Sequence, residues 1–258
     1  MHTYSQALRC IALLTSLLHF LPQLAHAQEF DAENEKFPGA KQVKVEAFGL
    51  GPEGFWAEYK FDGQGRATDG RVYFRRQLNI IEQYSFTSRN KLQQERVINP
   101  GMNDRIQIFS FSYQYSPDSA RIIRKTVLSG TDTMYVFHYL EFDRDNRPTK
   151  FTKAKGWSRK PNEVTELTYT NGRLTNSRLT EQGEKGAVIY TESYQYNIQG
   201  DLVKHHRSMS PPSPVSWFDG QGDTLEYSYD YSPKGPWTRQ YQFFKSKKVL
   251  IAKRTITY

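Results

Sequence analysis

Seven times in this chain, two aromatic or apolar residues separated by one position run directly into a short polar turn. Tyr59-Lys60-Phe61 enters Asp62-Gly63-Gln64-Gly65-Arg66, Leu140-Glu141-Phe142 enters Asp143-Arg144-Asp145-Asn146-Arg147, and Tyr194-Gln195-Tyr196 enters Asn197-Ile198-Gln199-Gly200-Asp201. With the second member of each pair as an anchor, the anchors are Phe61, Phe86, Tyr115, Phe142, Tyr169, Tyr196 and Tyr231, at spacings of 25, 29, 27, 27, 27 and 35 residues. A strand-to-turn junction recurring at this interval commits the chain to a stack of similar β-hairpins. A second set of turn signals falls between the anchors, as at Asn99-Pro100-Gly101, Ser129 to Asp132 and Gln182 to Gly186. Two turns per repeat describe an antiparallel up-and-down meander with strands of about 8 to 10 residues.

Alternation within the strands supports this reading. Phe109, Phe111, Tyr113 and Tyr115 alternate with polar residues, as do Leu225, Tyr227, Tyr229 and Tyr231. Period-2 alternation places each set on one side of a sheet. The turns have their own logic. Asp62, Asp143 and Asn197 can accept from the backbone two residues on, and Gly65, Asn146 and Gly200 supply the positive φ that closes the turn. The expected fold is all-β: an antiparallel meander of about 15 strands over Gly54 to Tyr258, built from about seven 27-residue repeats, with Val43 to Phe48 a further candidate at the edge. An open or curled sheet is expected, with a closed barrel as the alternative.

Residues 1–27 read as a secretory signal peptide, with Arg9 in the n-region, an apolar run to Leu24, and Ala25-His26-Ala27 as the cleavage site. Residues 28–41 read as a flexible leader, and residues 42–258 as a single β-repeat domain. The only cysteine, Cys10, lies in the signal segment, so the exported chain is expected to lack disulfides, thiolate chemistry and cysteine metal sites. Loss of Arg9 takes the net charge from +8 to +7, with the bases scattered among acids. That distribution suits a solvated surface or weak attraction to anionic polymers, and argues against nucleic acid.

The pattern aromatic-x-aromatic-Asp-x-x-Gly/Asn-Arg resembles the YD repeat of the Rhs family. Phe61-Asp62 to Gly65-Arg66 and Phe142-Asp143 to Asn146-Arg147 carry it best, and Tyr169-Thr170-Asn171-Gly172-Arg173 is a shortened copy. Tyr115-Ser116 and Tyr231-Ser232 replace the Asp, and the Phe86 copy lacks both Asp and Gly. The resemblance implies an extended or curled extracytoplasmic β-sheet. It does not imply encapsulation, because seven copies are too few to enclose cargo and the chain ends in another strand pattern.

Candidate chemistry is sparse. Phe48 to Gly54 contains GxGxxG, but a strand pattern follows where a dinucleotide site needs a helix. His205 and His206 are neighbours on a strand pattern and point to opposite faces, so they cannot both hold one metal with His138. The carboxylates Asp62, Asp143, Asp219 and Asp230 recur at or near turns and read as turn caps before they read as a glycosidase pair. The acidic turns at Asp143 to Asn146 and Asp219 to Asp223 lack the ligands of a calcium loop, and no G-x-S-x-G occurs. No metal and no cofactor is expected. The two long interruptions, around Trp157 and around Trp217-Phe218, offer aromatic residues for a glycan or partner. A membrane-spanning barrel is not expected, because Arg71 to Gln77 and Arg173 to Leu179 are polar on both faces and the mean hydropathy is −0.73.

The sequence therefore leads to a secreted, periplasmic or cell-surface non-enzymatic repeat protein that binds an envelope or extracellular glycan or a protein partner, with Trp157, Trp217 and Phe218 as the binding residues. Two alternatives stand beside it: a structural module pairing through sheet edges, and a glycan-active enzyme.

Overall fold

The computed structural model describes residues 37–48, 55–100, 105–156, 158, 161–183, 186–212, 224–233, 235–244 and 246–258. The strands follow one another without interruption by any other regular element among these residues. The first eight are β1 (Gln42–Ala47), β2 (Trp56–Phe61), β3 (Ala67–Phe74), β4 (Gln77–Phe86), β5 (Leu92–Asn99), β6 (Arg105–Tyr115), β7 (Ile122–Ser129) and β8 (Asp132–Phe142). The second eight are β9 (Pro148–Lys155), β10 (Glu163–Thr170), β11 (Arg173–Gly183), β12 (Gly186–Tyr196), β13 (Leu202–Ser210), β14 (Thr224–Tyr231), β15 (Trp237–Phe244) and β16 (Lys247–Thr257).

Each strand pairs antiparallel with the next, and β1 also pairs with β16, from Gln42 opposite Thr257 to Ala47 opposite Ala252. The sheet is therefore a closed sixteen-strand barrel, which corrects the expectation of an open or curled sheet of about fifteen strands. The segment read as an edge, Val43 to Phe48, supplies the strand that closes it, bonded to β2 on one side and β16 on the other.

The bend that permits closure comes from a repeated irregularity. The pairing register shifts at every anchor: at Phe61, Phe86, Tyr115, Phe142, Tyr169, Tyr196 and Tyr231. Each such bulge bends its strand and sharpens the local twist. Repeated at one height around the sheet, the bulges curl it.

The two faces differ in kind. Val43, Tyr59, Val72, His205, Leu225, Tyr227, Gln240, Gln242 and Ala252 are buried, and their registered pairings place them all on one face. A side chain on the convex side of a single-layer barrel meets solvent, so this face is the concave, inner one. The buried residues concentrate on β1–β3 and β13–β16, around the closing seam.

The outer face carries charge pairs set opposite one another on several strands. Glu166 lies between Lys150 and Arg178, at 3.4 and 3.7 Å. Lys204 faces Glu226 at 3.0 Å, and Asp230 faces Arg239 at 3.9 Å. Opposite charges in directly facing positions are favourable in water, and such groups are costly in contact with lipid.

Phe37 to Lys41, the end of the segment read as leader, sits against the seam. The Phe37 amide donates to Gly65 O (3.0 Å), Lys41 N to Thr257 O (2.7 Å), and Phe61 N to Lys41 O (3.1 Å). Gly65, at φ +75°, leaves no room for a Cβ, which would stand 2.7 Å from the Phe37 carbonyl carbon.

Candidate functional site

Six of the seven hairpins at the anchor end share one pattern of backbone bonds, whatever their sequence, with the Ser116 turn one residue longer than the others. At Asp62, Thr87, Ser116, Asp143, Asn197 and Ser232, the amide of the first turn residue donates across the turn, and its carbonyl accepts from a residue three positions on. That later residue is in the left-handed region each time: Gly65, Asn90, Ser119, Asn146, Gly200 and Gly235. The seventh hairpin is a two-residue turn, Asn171-Gly172, with both φ values positive.

The first residue caps its own turn. Asp62 Oδ1 accepts from the amides of Gln64 (2.9 Å) and Arg66 (3.0 Å), while Oδ2 accepts from Arg66 Nε (2.7 Å). Asp143 repeats this with Asp145 N, Arg147 N and Arg147 Nε at 2.9, 2.9 and 2.7 Å. Desolvation works to raise both carboxyls, but the arginine amide and guanidinium outweigh it and hold them below the usual range. In the turns without Asp, Thr87 Oγ1 and Ser116 Oγ take over, each accepting from the closing amide at 3.1 Å.

The cation of each turn then reaches the next anchor. Arg66 lies over Phe86 (5.0 Å), Arg89 over Tyr115 (4.2 Å), Arg121 over Phe142 (5.4 Å), Arg147 over Tyr169 (4.9 Å) and Arg173 over Tyr196 (5.7 Å). Asn197 Nδ2 carries the link on to the Tyr231 hydroxyl (2.6 Å). Tyr231 neighbours Tyr229, which packs on Trp237 at 5.9 Å. Arg254 lies between Trp237 (3.9 Å) and Phe37 (5.3 Å), and Phe37 meets Phe61 edge-on at 5.2 Å. An unbroken belt of rings and cations thus encircles one rim. Each such contact is worth about 0.5–1 kcal/mol at an exposed site.

Away from the rim, the inner wall carries two distinct groups. The first is an aromatic ladder on β6 to β9. Phe109, Phe111 and Tyr113 line β6, Tyr135, Phe137 and Tyr139 line β8, and Phe151 on β9 lies 6.0 Å from Phe137 and 5.7 Å from Tyr139. Lys125 stands between the two aromatic strands, paired in register with Tyr113 and Phe137, its Nζ 5.2 Å from the Phe111 ring. Lys153 covers Tyr135 at 4.6 Å and is held by Glu163 at 3.0 Å. These rings are half-buried, so their inner faces remain accessible.

The second group is a polar network on β11 to β13. Glu192 accepts from Arg207 and from the Tyr194 hydroxyl, and Ser177 Oγ reaches it at 3.4 Å. His205, fully buried, stacks on Tyr194 (4.8 Å, 8°) with its Nε2 3.9 Å from Glu192 Oε1. Burial works to raise the Glu192 carboxyl, but the Tyr194 hydroxyl and the Arg207 guanidinium outweigh it and hold it below the usual range. These polar partners come from neighbouring strands of the wall, so the network fastens three strands together.

No family model matches the chain, and no curated protein matches it. Among solved structures, the chain is similar to a porin-like protein from Bacteroides uniformis ATCC 8492, at 10% identity and a TM-score of 0.47, covering 84% of this chain and 96% of that one. It is also similar to a porin-like protein from Bacteroides vulgatus ATCC 8482, at 9% identity and a TM-score of 0.37, covering 85% and 98%. The YD-repeat, Rhs-like description is accordingly corrected: no family model supports it, and the recurring turn serves a closed up-and-down barrel rather than an extended or curled sheet.

The residues singled out for binding, Trp157, Trp217 and Phe218, lie outside the described residues, as does most of the GxGxxG stretch. His205 and His206 point to opposite faces: His205 is buried inside, and His206, exposed, meets Thr224 Oγ1 at 2.9 Å. His138 pairs with Thr152 on the outer face. Among the described residues, no group of three or more His, Asp or Glu could hold a metal ion. A surface cleft of about 560 Å³ opens beside Trp237, Arg239 and Lys253, but Glu46 and Asp230 on its lining offset those cations. The β6 part of the ladder, Phe109, Phe111 and Tyr113, was already on one face in the sequence; Tyr135, Phe137, Tyr139 and Phe151 were not singled out, and alternation does not reveal that this face lines an interior.

Proposed function

We propose that this chain is an exported, non-enzymatic β-barrel protein that binds a glycan along the aromatic ladder of its inner wall. The observation that carries the reading is the convergence of Phe109, Phe111, Tyr113, Tyr135, Phe137, Tyr139 and Phe151 on the inner face of β6 to β9, with Lys125 and Lys153 among them. Flat rings stack on sugar faces, and ammonium groups between them bond hydroxyls or carboxylates. A wall of rings on the inside with paired charges on the outside suits a water-soluble receptor.

Calorimetric titration of the exported chain with soluble polysaccharides and peptidoglycan fragments tests this. Saturable binding is expected with at least one of them, weakened roughly tenfold or more in Phe137→Ala and Phe151→Ala. Binding to none, or binding indifferent to both substitutions, contradicts the reading.

A second reading, a structural or channel-forming barrel, is favoured by closure at sixteen strands, a number at which barrels enclose an aqueous lumen. It predicts steady conductance steps in planar bilayers. The outer-face charge ladders weigh against it.

A further inference from the structure

The rim opposite the aromatic belt is built differently. Its described hairpin tips include Arg75-Arg76, between β3 and β4, and Lys247 with the following Lys248, at the start of β16. All four cations are exposed. Arg75 and Arg76 hold φ values of +48° and +65°, the geometry of a two-residue turn that ordinarily takes Asn-Gly.

A second observation lies just below the tips, on the outer face. Ile81, Ile98 and Ile106 stand directly opposite one another across β4, β5 and β6, with Ile108 one step along. Ile106 is 49% exposed and Ile108 37%. Of these, Ile106 and Ile108 are the ones most open to solvent. Near β1, Trp56 stacks flat on Tyr73 (3.6 Å, 7°) on the same outer face, and Phe243 on β15 is exposed.

We infer that this arc of the rim, from β15 round to β6, docks the barrel on an anionic phospholipid surface. The arginine and lysine tips would meet the headgroups, and the isoleucine row with its aromatic neighbours would sit at the level of the acyl boundary. Charge complementarity selects this occupant: Arg75, Arg76, Lys247 and Lys248 are exposed at the tips to one side of the exposed apolar row, and Glu46 on the outer face of β1 is already paired with Lys44 at 3.0 Å. The strip is one or two side chains high on each strand. That is far short of a spanning band, so the contact is peripheral.

Co-sedimentation of the exported chain with phosphatidylcholine vesicles, with and without phosphatidylglycerol, tests the inference. Binding is expected only to the anionic vesicles and is expected to be reversed by high salt, which would not extract a spanning barrel. The informative variant is Arg75→Asn combined with Arg76→Gly. It suits the turn better than the native pair, so it cannot fail through misfolding. It should weaken partitioning roughly thirtyfold, since each basic residue near an anionic surface contributes about 1 kcal/mol. Ile106→Asn should weaken it as well, without changing glycan binding. Equal binding to neutral vesicles, binding that survives salt, or a double variant that binds like the native chain would overturn the inference. Sedimentation with neither vesicle would also overturn it and would assign the isoleucine row to a protein partner.

Discussion

At the scale of single residues, the most consequential group is Glu192, a carboxylate in the inner wall bonded to Arg207 and Tyr194 beside the buried His205. Its folded pKa lies below the ordinary value of 4.5, so its stabilisation is complete above that value and fades as pH falls through the folded pKa. Glu192→Gln should therefore cost about 2 kcal/mol at neutral pH by leaving the Arg207 charge without its partner. The difference from the native chain should shrink steadily in acid, as urea melts at a series of pH values below 4.5 would show. A constant difference across that range would mean the site acts by shape and not by charge. Part of this was legible in the sequence. Val188, Tyr190, Glu192, Tyr194 and Tyr196 alternate on one face, but the residues that meet Glu192 come from β11 and β13, and cross-strand register cannot be read from one strand's pattern.

At the scale of the element, the repeat is a hairpin whose closing cation belongs as much to the next hairpin as to its own. Gly200 shows how tightly the links are made. A Cβ there would stand 2.2 Å from the Arg173 guanidinium, and the backbone φ is +98°. Gly200→Ala should cost about 1–3 kcal/mol, by backbone strain and by expelling Arg173 from Tyr196. Gly130, at φ +60° with nothing within 4 Å, provides the contrast, and its alanine variant should show only the backbone part, about 1 kcal/mol. Thermal melts of the two variants would check this, and equal losses would deny the link. The turn chemistry was readable from Asp62, Gly65, Asp143 and Asn146, because an Asx cap and a left-handed residue leave a local signature. It was not readable at Thr87-Asn90 or Ser116-Ser119, where weaker formers reach the same backbone because neighbouring hairpins enforce it. The reach of each arginine to the following anchor spans about one repeat, which no local pattern encodes.

At the scale of the whole molecule, the account rests on closure. The meander, the strand alternation and nearly all the strands follow from the 27-residue period. Whether such a sheet stays open or meets itself depends on bulges accumulated over all the hairpins, each contributing a small bend that is invisible in its own segment. The same closure decides which face is the interior, and so turns an aromatic face into the wall of a candidate site. The direct test is a crosslink across the seam. Lys44 and Thr255 face each other on the outer side of β1 and β16, and the sequence from Gln28 onward contains no cysteine. Directly opposed residues in an antiparallel pair have Cβ atoms about 4.5–5.5 Å apart, within range of a disulfide after slight adjustment. Lys44→Cys with Thr255→Cys, oxidised at low protein concentration, should give an intramolecular disulfide in the folded monomer, seen as faster migration without reductant. A free thiol count that stays at two in the folded monomer, or crosslinks that form only between molecules, would mean that β1 and β16 do not meet within one chain, and the closed barrel would be wrong.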